Sequence, residues 1–347
     1  NVIRYLLFFF TSLSISVNAQ NSKVTDFAKS ITEQELMELL YVYASDYFQG
    51  RKTGSKGQKI AVDFLRDYYK NLNIQAAEGT NNYFQEMTLK VDGKMVSTEN
   101  VASIIKGSQF PDEYIILTSH LDHIGLEGGQ INNGADDDGS GTVTMLEIAE
   151  ALQIGLENGF KPKRSIVFLH VTGEEEGLLG SAYYAENPLY PLEQTIVNLN
   201  IDMIGRNDPL HQRDDDYLYL IGSDILSQDL HDLSIYTNKN YSNLDLDFRY
   251  NDPSLEVFER GRYYANRYYY RSDHYNFAKN DIPVIFYFSG THEDYHLPTD
   301  TVEKINYPML TKRARYIFYT LWELANMKNR IRLNSKKKYL NIDKNRR

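Results

Sequence analysis

Apolar and polar positions recur along this chain with two different periods, and the order in which the periods alternate predicts a fold. Over 57–72 the apolar residues Ile60, Ala61, Phe64, Leu65 and Tyr68 return every three or four residues, which predicts a helix with one buried stripe. Thr32, followed by Glu33 and Glu35, is the polar cap and acidic first turn of an earlier helix. Unbroken apolar runs at 114–117 and 166–169 predict buried strands, and 196–204, 217–221 and 283–288 supply three more. Between them, 142–152 puts Val143, Leu146, Ala149 and Leu152 on one helical face, and 178–185 predicts a short helix. Strands alternating with helices predict an α/β fold: a single globular domain over 20–330, with a mostly parallel mixed central sheet and helices on both faces. No linker-like stretch or internal repeat divides that span, and the interval 51–120 is too short for an inserted accessory domain.

The two ends read differently. Arg4 precedes an apolar run over 5–17, and Val17-Asn18-Ala19 offers small residues for cleavage, the layout of a secretory signal peptide over 1–19. That run falls short of the about 18 apolar residues a membrane span needs. Export to a periplasm or beyond is therefore expected, with no stable membrane association once the leader is removed. Basic residues gather in 331–347, in Lys336-Lys337-Lys338 and Arg346-Arg347, and predict a solvated tail. Elsewhere acid dominates: the net charge of −10 is the wrong sign for a nucleic-acid partner. There is no cysteine, which excludes disulfides, thiolate metal sites and thiol nucleophiles.

Chemistry must then come from carboxylates and imidazoles. The candidates fall just after predicted strands, where sites gather in open α/β sheets: His120, Glu174-Glu175-Glu176, Asp202 and the loop near 290. Asp136-Asp137-Asp138 stands just before a predicted helix. Either acidic run alone reads as a solvated loop or a helix start that favours negative charge. Several carboxylates converging on one sheet edge would repel one another unless a cation neutralised them. The two imidazoles of His120 and His296 and the carboxylates of Asp137, Glu175 and Asp202 exceed the three protein ligands of one catalytic zinc. They suit two ions that share one carboxylate. Without thiolate, zinc is favoured, with cobalt or manganese as substitutes. His292-Glu-Asp-Tyr-His296 also spells H-E-x-x-H, but that chemistry needs both imidazoles on one helical face. Ser289-Gly290 before it and Pro298 after it leave no room for the helix, so His292 is expected in a loop, touching substrate.

His120-Leu-Asp122, Gly134-Ala-Asp-Asp-Asp-Gly-Ser-Gly141, Gly173-Glu-Glu-Glu-Gly-Leu-Leu-Gly-Ser181, Asn200-Ile-Asp-Met-Ile-Gly-Arg206 and Tyr295-His-Leu-Pro-Thr-Asp300 occur in that order. Together they resemble the co-catalytic zinc aminopeptidases of the M28 family, of the secreted bacterial type. The resemblance implies that His120 and Asp202 hold one zinc, Glu175 and His296 the other, and that Asp137 bridges them ahead of a cis peptide bond. It implies that Asp122 orients the imidazole of His120 and that Glu174 is the general base for a hydroxide bridging the metals. Tyr295 would help polarise the scissile carbonyl. Arg271-Ser-Asp273-His274 recurs near the family's specificity pocket, which makes Arg271 and Asp273 candidate substrate contacts. The implied substrates are peptides, cleaved at the N-terminal bond.

Other reactions on the same fold stay open. Glutaminyl cyclases tend to carry Trp where Tyr295 stands, and the single Trp here, Trp322, lies in a predicted C-terminal helix. A carboxypeptidase would need an arginine for the substrate carboxylate, and Arg206, Arg267 and Arg271 are available. A binding protein on a dead peptidase fold would have lost ligands or the base, and all are present. Of the remaining histidines, His123 and His274 are expected to pack or to support the site rather than ligate, and His170 to sit in the core. Oligomeric state and the preferred N-terminal side chain are not legible.

Overall fold

A computed structural model describes residues 23–336 and 338, apart from 212–215, 253, 260 and 261. The expected leader over 1–19 and the tail from 339 onward lie outside the described residues. The strands are β1 (Gln75–Ala76), β2 (Phe84–Val91), β3 (Lys94–Ile105), β4 (Phe110–His120), β5 (Gly125–Glu127), β6 (Gln130–Asn132) and β7 (Arg164–Val171). They continue with β8 (Thr195–Ile201), β9 (Tyr217–Ile221), β10 (Asp245–Asp247), β11 (Glu256–Glu259), β12 (Arg262–Ala265) and β13 (Val284–Phe288). The helices are α1 (Glu33–Tyr43), α2 (Lys56–Asn71), α3 (Gly141–Glu157), α4 (Leu179–Glu186), α5 (Gln228–Thr237), α6 (His274–Ala278) and α7 (Tyr307–Asn326).

Among the described residues, nine strands form one sheet in the order β1-β3-β7-β4-β8-β13-β9-β10, with β2 also on β3. The four central strands β7, β4, β8 and β13 are mutually parallel. Both neighbours of this parallel centre, β3 on β7 and β9 on β13, run antiparallel, which makes the sheet mixed about a parallel core. β7 and β8 are buried at every position, which requires cover on both faces. The cover follows the two-residue period of a strand. Ile115, Leu117, Ile166 and Phe168 pack with α1, α2, α3 and α7, while Ile116, Val167 and Leu169 pack with Tyr184 of α4 and Phe277 of α6.

Local chemistry sets the element ends. The Thr32 hydroxyl accepts from the Glu35 N–H and caps α1; Ser55 does the same for Gln58 of α2. β2 and β3 form a hairpin through Asp92 (φ 49) and Gly93 (φ 78), the two positive φ angles of a primed turn. The start of the basic tail is docked, contrary to the expectation of a solvated segment. Ile331 is buried in the main core, and the Asn334 side chain accepts from the Gln228 N–H at the start of α5. No helix of the described residues is long and apolar enough to cross a membrane.

One buried charge lies away from the sheet edge. Glu147 of α3 is 2% exposed and faces Glu35 and Glu150, the latter bonded to the Tyr68 hydroxyl. Burial first, then the charges of Glu35 and Glu150, pushes its carboxyl up to about 8. The unfolded chain releases this proton near pH 4.3 and the folded chain near 8, so folding holds an extra proton between those values. Stability from this site therefore falls as pH rises across that window. Denaturant unfolding at pH 5.5 and pH 8 should show Glu147→Gln losing less stability with pH than the parent, by on the order of 1–3 kcal/mol. Equal slopes in the two proteins would contradict the buried-acid account.

Candidate metal centre

Four loops leave the carboxyl ends of the central strands or open α3, and each brings acids or imidazoles to one place. His120 is the last residue of β4 and is 1% exposed. Its Nδ1 lies 3.0 Å from the carbonyl of Asp122, which leaves Nε2 facing Asp137 Oδ1 at 3.0 Å and Asp202 Oδ1 at 3.6 Å. Burial pushes this imidazole down, but contact with Asp137 and Asp202 outweighs it and the net shift is upward.

The triple aspartate divides its work. Asp136 Oδ1 accepts from the Gly205 N–H at 2.6 Å. Asp138 accepts from the N–H groups of Gly141, Met203 and His120 at 3.0–3.2 Å. Asp138 also lies close enough to His120 and Asp202 to share a cation with them, but its oxygens are already used by backbone donors. Asp137 alone faces the cleft, and its peptide bond to Asp138 is cis. The loop is fastened from outside by Asp300, whose carboxylate accepts from the N–H groups of Asp136 (3.0 Å) and Asp137 (3.2 Å). Arg51, 1% exposed, donates to the carbonyls of Leu121, Asn133 and Gly134, and so ties the loop after β4 to the aspartate loop.

On the other side, Glu175 Oε2 lies 3.1 Å from His296 Nε2, which is also 3.2 Å from Asp137 Oδ2. Asp202 is held by the Ser272 hydroxyl, which donates to its Oδ2 at 2.7 Å. Glu174, Arg271, Thr291 and Tyr295 line the cleft above Asp137 and Asp202. Met203, Tyr268, Phe286 and Phe288 make its apolar wall. Burial, opposed by His120 and reinforced by Glu175 and Asp202, holds the Glu174 carboxyl well above the usual range. Burial likewise holds the Tyr295 hydroxyl well above its usual value, so it is a neutral donor at pH 7.

Several positions differ from what the sequence pattern predicts. The Asp122 carboxylate sits 3.9 Å from His120 Nδ1 and instead accepts from Thr53 (2.9 Å) and the Glu174 N–H (3.2 Å). The carbonyl of the same residue takes the place beside the imidazole. His292 does not face the cleft: its side chain is wholly buried, with Nε2 3.2 Å from Asp136 Oδ2. Residues 293–296 after it are turns, not a helix. Asp273 is also fully buried, its carboxylate accepts a hydrogen bond from the Ser181 hydroxyl, and burial pushes it up to about 7; it is not among the residues lining the cleft. His123, expected to pack or to support the site, stands with Nδ1 2.7 Å from Glu175 Oε1. Its signal in the sequence was its place three residues after His120, in the same loop. His170 is in the core as expected, bonded to Tyr69 and Ser119 and pushed down to about 3 by burial.

His120 Nε2, His123 Nδ1, Asp137 Oδ2 and Glu175 Oε1 are buried with no hydrogen-bond partner, although each has a polar atom of opposite type nearby. Ligands of one tetrahedral zinc, each about 2.0–2.1 Å from the ion, stand roughly 3.3 Å apart. The contacts of 3.0–3.6 Å from His120 to Asp137 and Asp202, and of 3.1–3.2 Å from His296 to Glu175 and Asp137, fit that spacing. The donor set fits zinc.

Fold and cluster together define the class: an α/β protein whose parallel strands deliver a carboxylate–imidazole centre able to hold metal. Residues 100–321 match Peptidase family M28, and the chain belongs to that family. A stretch of 116 residues is 38% identical to "Probable glutamate carboxypeptidase VP8" of Zea mays, covering 33% of this chain and 15% of that one, so the match spans a small part of that relative. Among solved structures, an aminopeptidase from Aneurinibacillus sp. strain AM-1 superposes with a TM-score of 0.65 at 16% identity, over 88% of this chain and 97% of that one. Porphyromonas gingivalis glutaminyl cyclase superposes with a TM-score of 0.59 at 19% identity, over 84% and 97%. At these identities the superpositions establish the fold.

The unpartnered buried atoms come together only in the folded state, so a metal that they hold would stabilise the fold. Adding Zn²⁺ at about 100 times its dissociation constant to chelator-treated protein should contribute about 2.7 kcal/mol per site. Scanning calorimetry should then show Tm rising by on the order of 5 °C, and Asp137→Asn should remove most of that rise. An unchanged Tm would refute metal binding at this cluster.

Proposed function

We propose that the protein is an exported exopeptidase that hydrolyses the N-terminal bond of peptides, using two zinc ions. One ion would be held by His120 and Asp202, the other by Glu175 and His296, with Asp137 shared. The observation that carries this reading is the divergence of the Asp137 carboxylate, Oδ1 toward His120 at 3.0 Å and Oδ2 toward His296 at 3.2 Å. When bound, the ions supply positive charge that acidifies the attacking water and polarises the scissile carbonyl.

The chain's own groups do the rest. Glu174 lines the same cleft, with a raised carboxyl pKa that suits taking a proton from water and passing it to the leaving amine. The Asp122 carboxylate, through the Glu174 N–H, holds that residue's backbone in place. Tyr295 offers its hydroxyl to the oxygen on which charge develops. Arg271 Nη2 donates to that hydroxyl at 3.4 Å and fixes its direction. The wall of Met203, Tyr268, Phe286 and Phe288 would receive the side chain of the first residue. Export rests on the leader pattern over 1–19.

Cyclisation of N-terminal glutamine is the weaker reading, because Trp322 packs against Phe27 and Phe318 in the core and Tyr295 precedes His296. A carboxypeptidase reading draws on one observation, the guanidinium of Arg271 in the cleft. Arg206 is engaged by Asp294 at 3.1 Å.

A panel of aminoacyl-nitroanilides, an N-terminal glutamine peptide and an N-acetylated peptide separates these. Free amino acids should appear from the N-terminus, and Glu174→Gln should cut kcat about 10²–10⁴-fold with bound metal unchanged. C-terminal release from the acetylated peptide would replace the reading with a carboxypeptidase, and pyroglutamate with a cyclase.

A further inference from the structure

The two halves of the centre are not equally furnished. Around the first cation position stand His120 Nε2, Asp137 Oδ1 and Asp202 Oδ1. Around the second stand Asp137 Oδ2, the Glu175 carboxylate and His296 Nε2, and beside them His123 Nδ1, 2.7 Å from Glu175 Oε1 and 3.8 Å from Asp137 Oδ2. His123 is 1% exposed, and neither of its ring nitrogens has a hydrogen-bond partner.

That last fact decides how the 2.7 Å contact is read. An imidazole N–H aimed at a carboxylate from this distance would be a short, strong hydrogen bond. Here both Nδ1 and Glu175 Oε1 remain without a hydrogen-bond partner in spite of that distance. His123, Asp137 and Glu175 each offer a ligand atom within 4.8 Å of the others, the spacing that ligands of one ion can have. The backbone makes room for this ring: a Cβ on Gly134 (φ 55) would meet His123 Cγ and Cδ2 at 2.5 Å. Glycine at that position lets the ring lie against the loop that carries Asp137.

We infer that His123 is a fourth ligand of the second cation position, through Nδ1; this rests on the two-cation reading above. The second position then has four protein ligands, His123, Asp137, Glu175 and His296, the count of a closed structural site. The first has three and keeps the open place that a reacting group needs. The second ion is thus the tightly held one and the first the exchangeable one.

Cobalt substitution tests this on the full chain without reference to activity. The protein is stripped with chelator, reloaded with Co²⁺, and its exchangeable imidazole N–H protons are counted by paramagnetic NMR. Three shifted resonances are expected, from His120, His123 and His296. His123→Ala and His123→Gln should each remove one, and should weaken one of the two ions by more than the roughly 10–100-fold that loss of an outer partner costs. The other ion should bind as before. Two shifted resonances in the parent, unchanged in either variant, would overturn the inference and place His123 outside the shell as a partner of Glu175. Fewer than two Co²⁺ per chain would overturn the two-cation reading and this inference with it, and the stoichiometry tells that failure apart.

Discussion

Mutual repulsion among buried carboxylates is the constraint around which this end of the molecule is built. Asp122, Asp136, Asp137, Asp138, Asp202, Asp273 and Asp300 are all buried, with Glu174 and Glu175 beside them. A buried carboxylate is tolerable when donors surround it, and costly when they do not. Most of these acids are served from the backbone. Asp138 takes three N–H groups, Asp300 takes two, Asp136 takes one, and Asp122 takes one with the Thr53 hydroxyl. Asp136, Asp137, Asp273 and Glu175 each keep one buried oxygen without a hydrogen-bond partner, and of these Asp137 and Glu175 stand among the imidazoles of His120, His123 and His296. Acids such as Asp138, Asp300 and Asp136 therefore hold loops, while Asp137 and Glu175, facing imidazoles, are placed to meet positive charge.

The sheet explains why this can be arranged. Parallel strands send their chain ends to one edge, so β4, β7, β8 and β13 each release a loop at the same end. Arg51 then ties the loop after β4 to the aspartate loop from behind, through carbonyl oxygens. A guanidinium suits the task because its donors fan out in a plane and its charge persists. Asp300, at the end of the His296 segment, closes the circle by gripping the aspartate loop. Each ligand thus depends on a neighbour contributed by a distant part of the chain.

Much of this was legible in the sequence, and the limits have physical causes. The central strands show as unbroken apolar runs because both their faces are covered. β2 was not read as a strand because only one of its faces is buried, so its alternation is mixed with charge. The Asp92-Gly93 turn between β2 and β3 was the available signal. Residue types and order singled out His120, Asp137, Glu175, Asp202 and His296, whose side chains stand in contacts of 3.0–3.6 Å. What they did not show was where a side chain points after its strand ends. His292 and Asp273 turn inward, the Asp122 carboxylate turns to Glu174, and His123 turns toward Glu175, each because of local backbone that no periodicity encodes. Arg51 was invisible for a different reason: its partner carbonyls lie 70–83 residues away, apart from one at Tyr43.

The central claim is that Asp137 stands between two cations, and zinc-edge anomalous diffraction from crystals of the zinc-loaded protein measures it directly. Two peaks are predicted, one beside His120 and Asp202 and one beside Glu175 and His296, both in contact with the Asp137 carboxylate. A single peak, or two peaks of which Asp137 touches only one, would contradict the account.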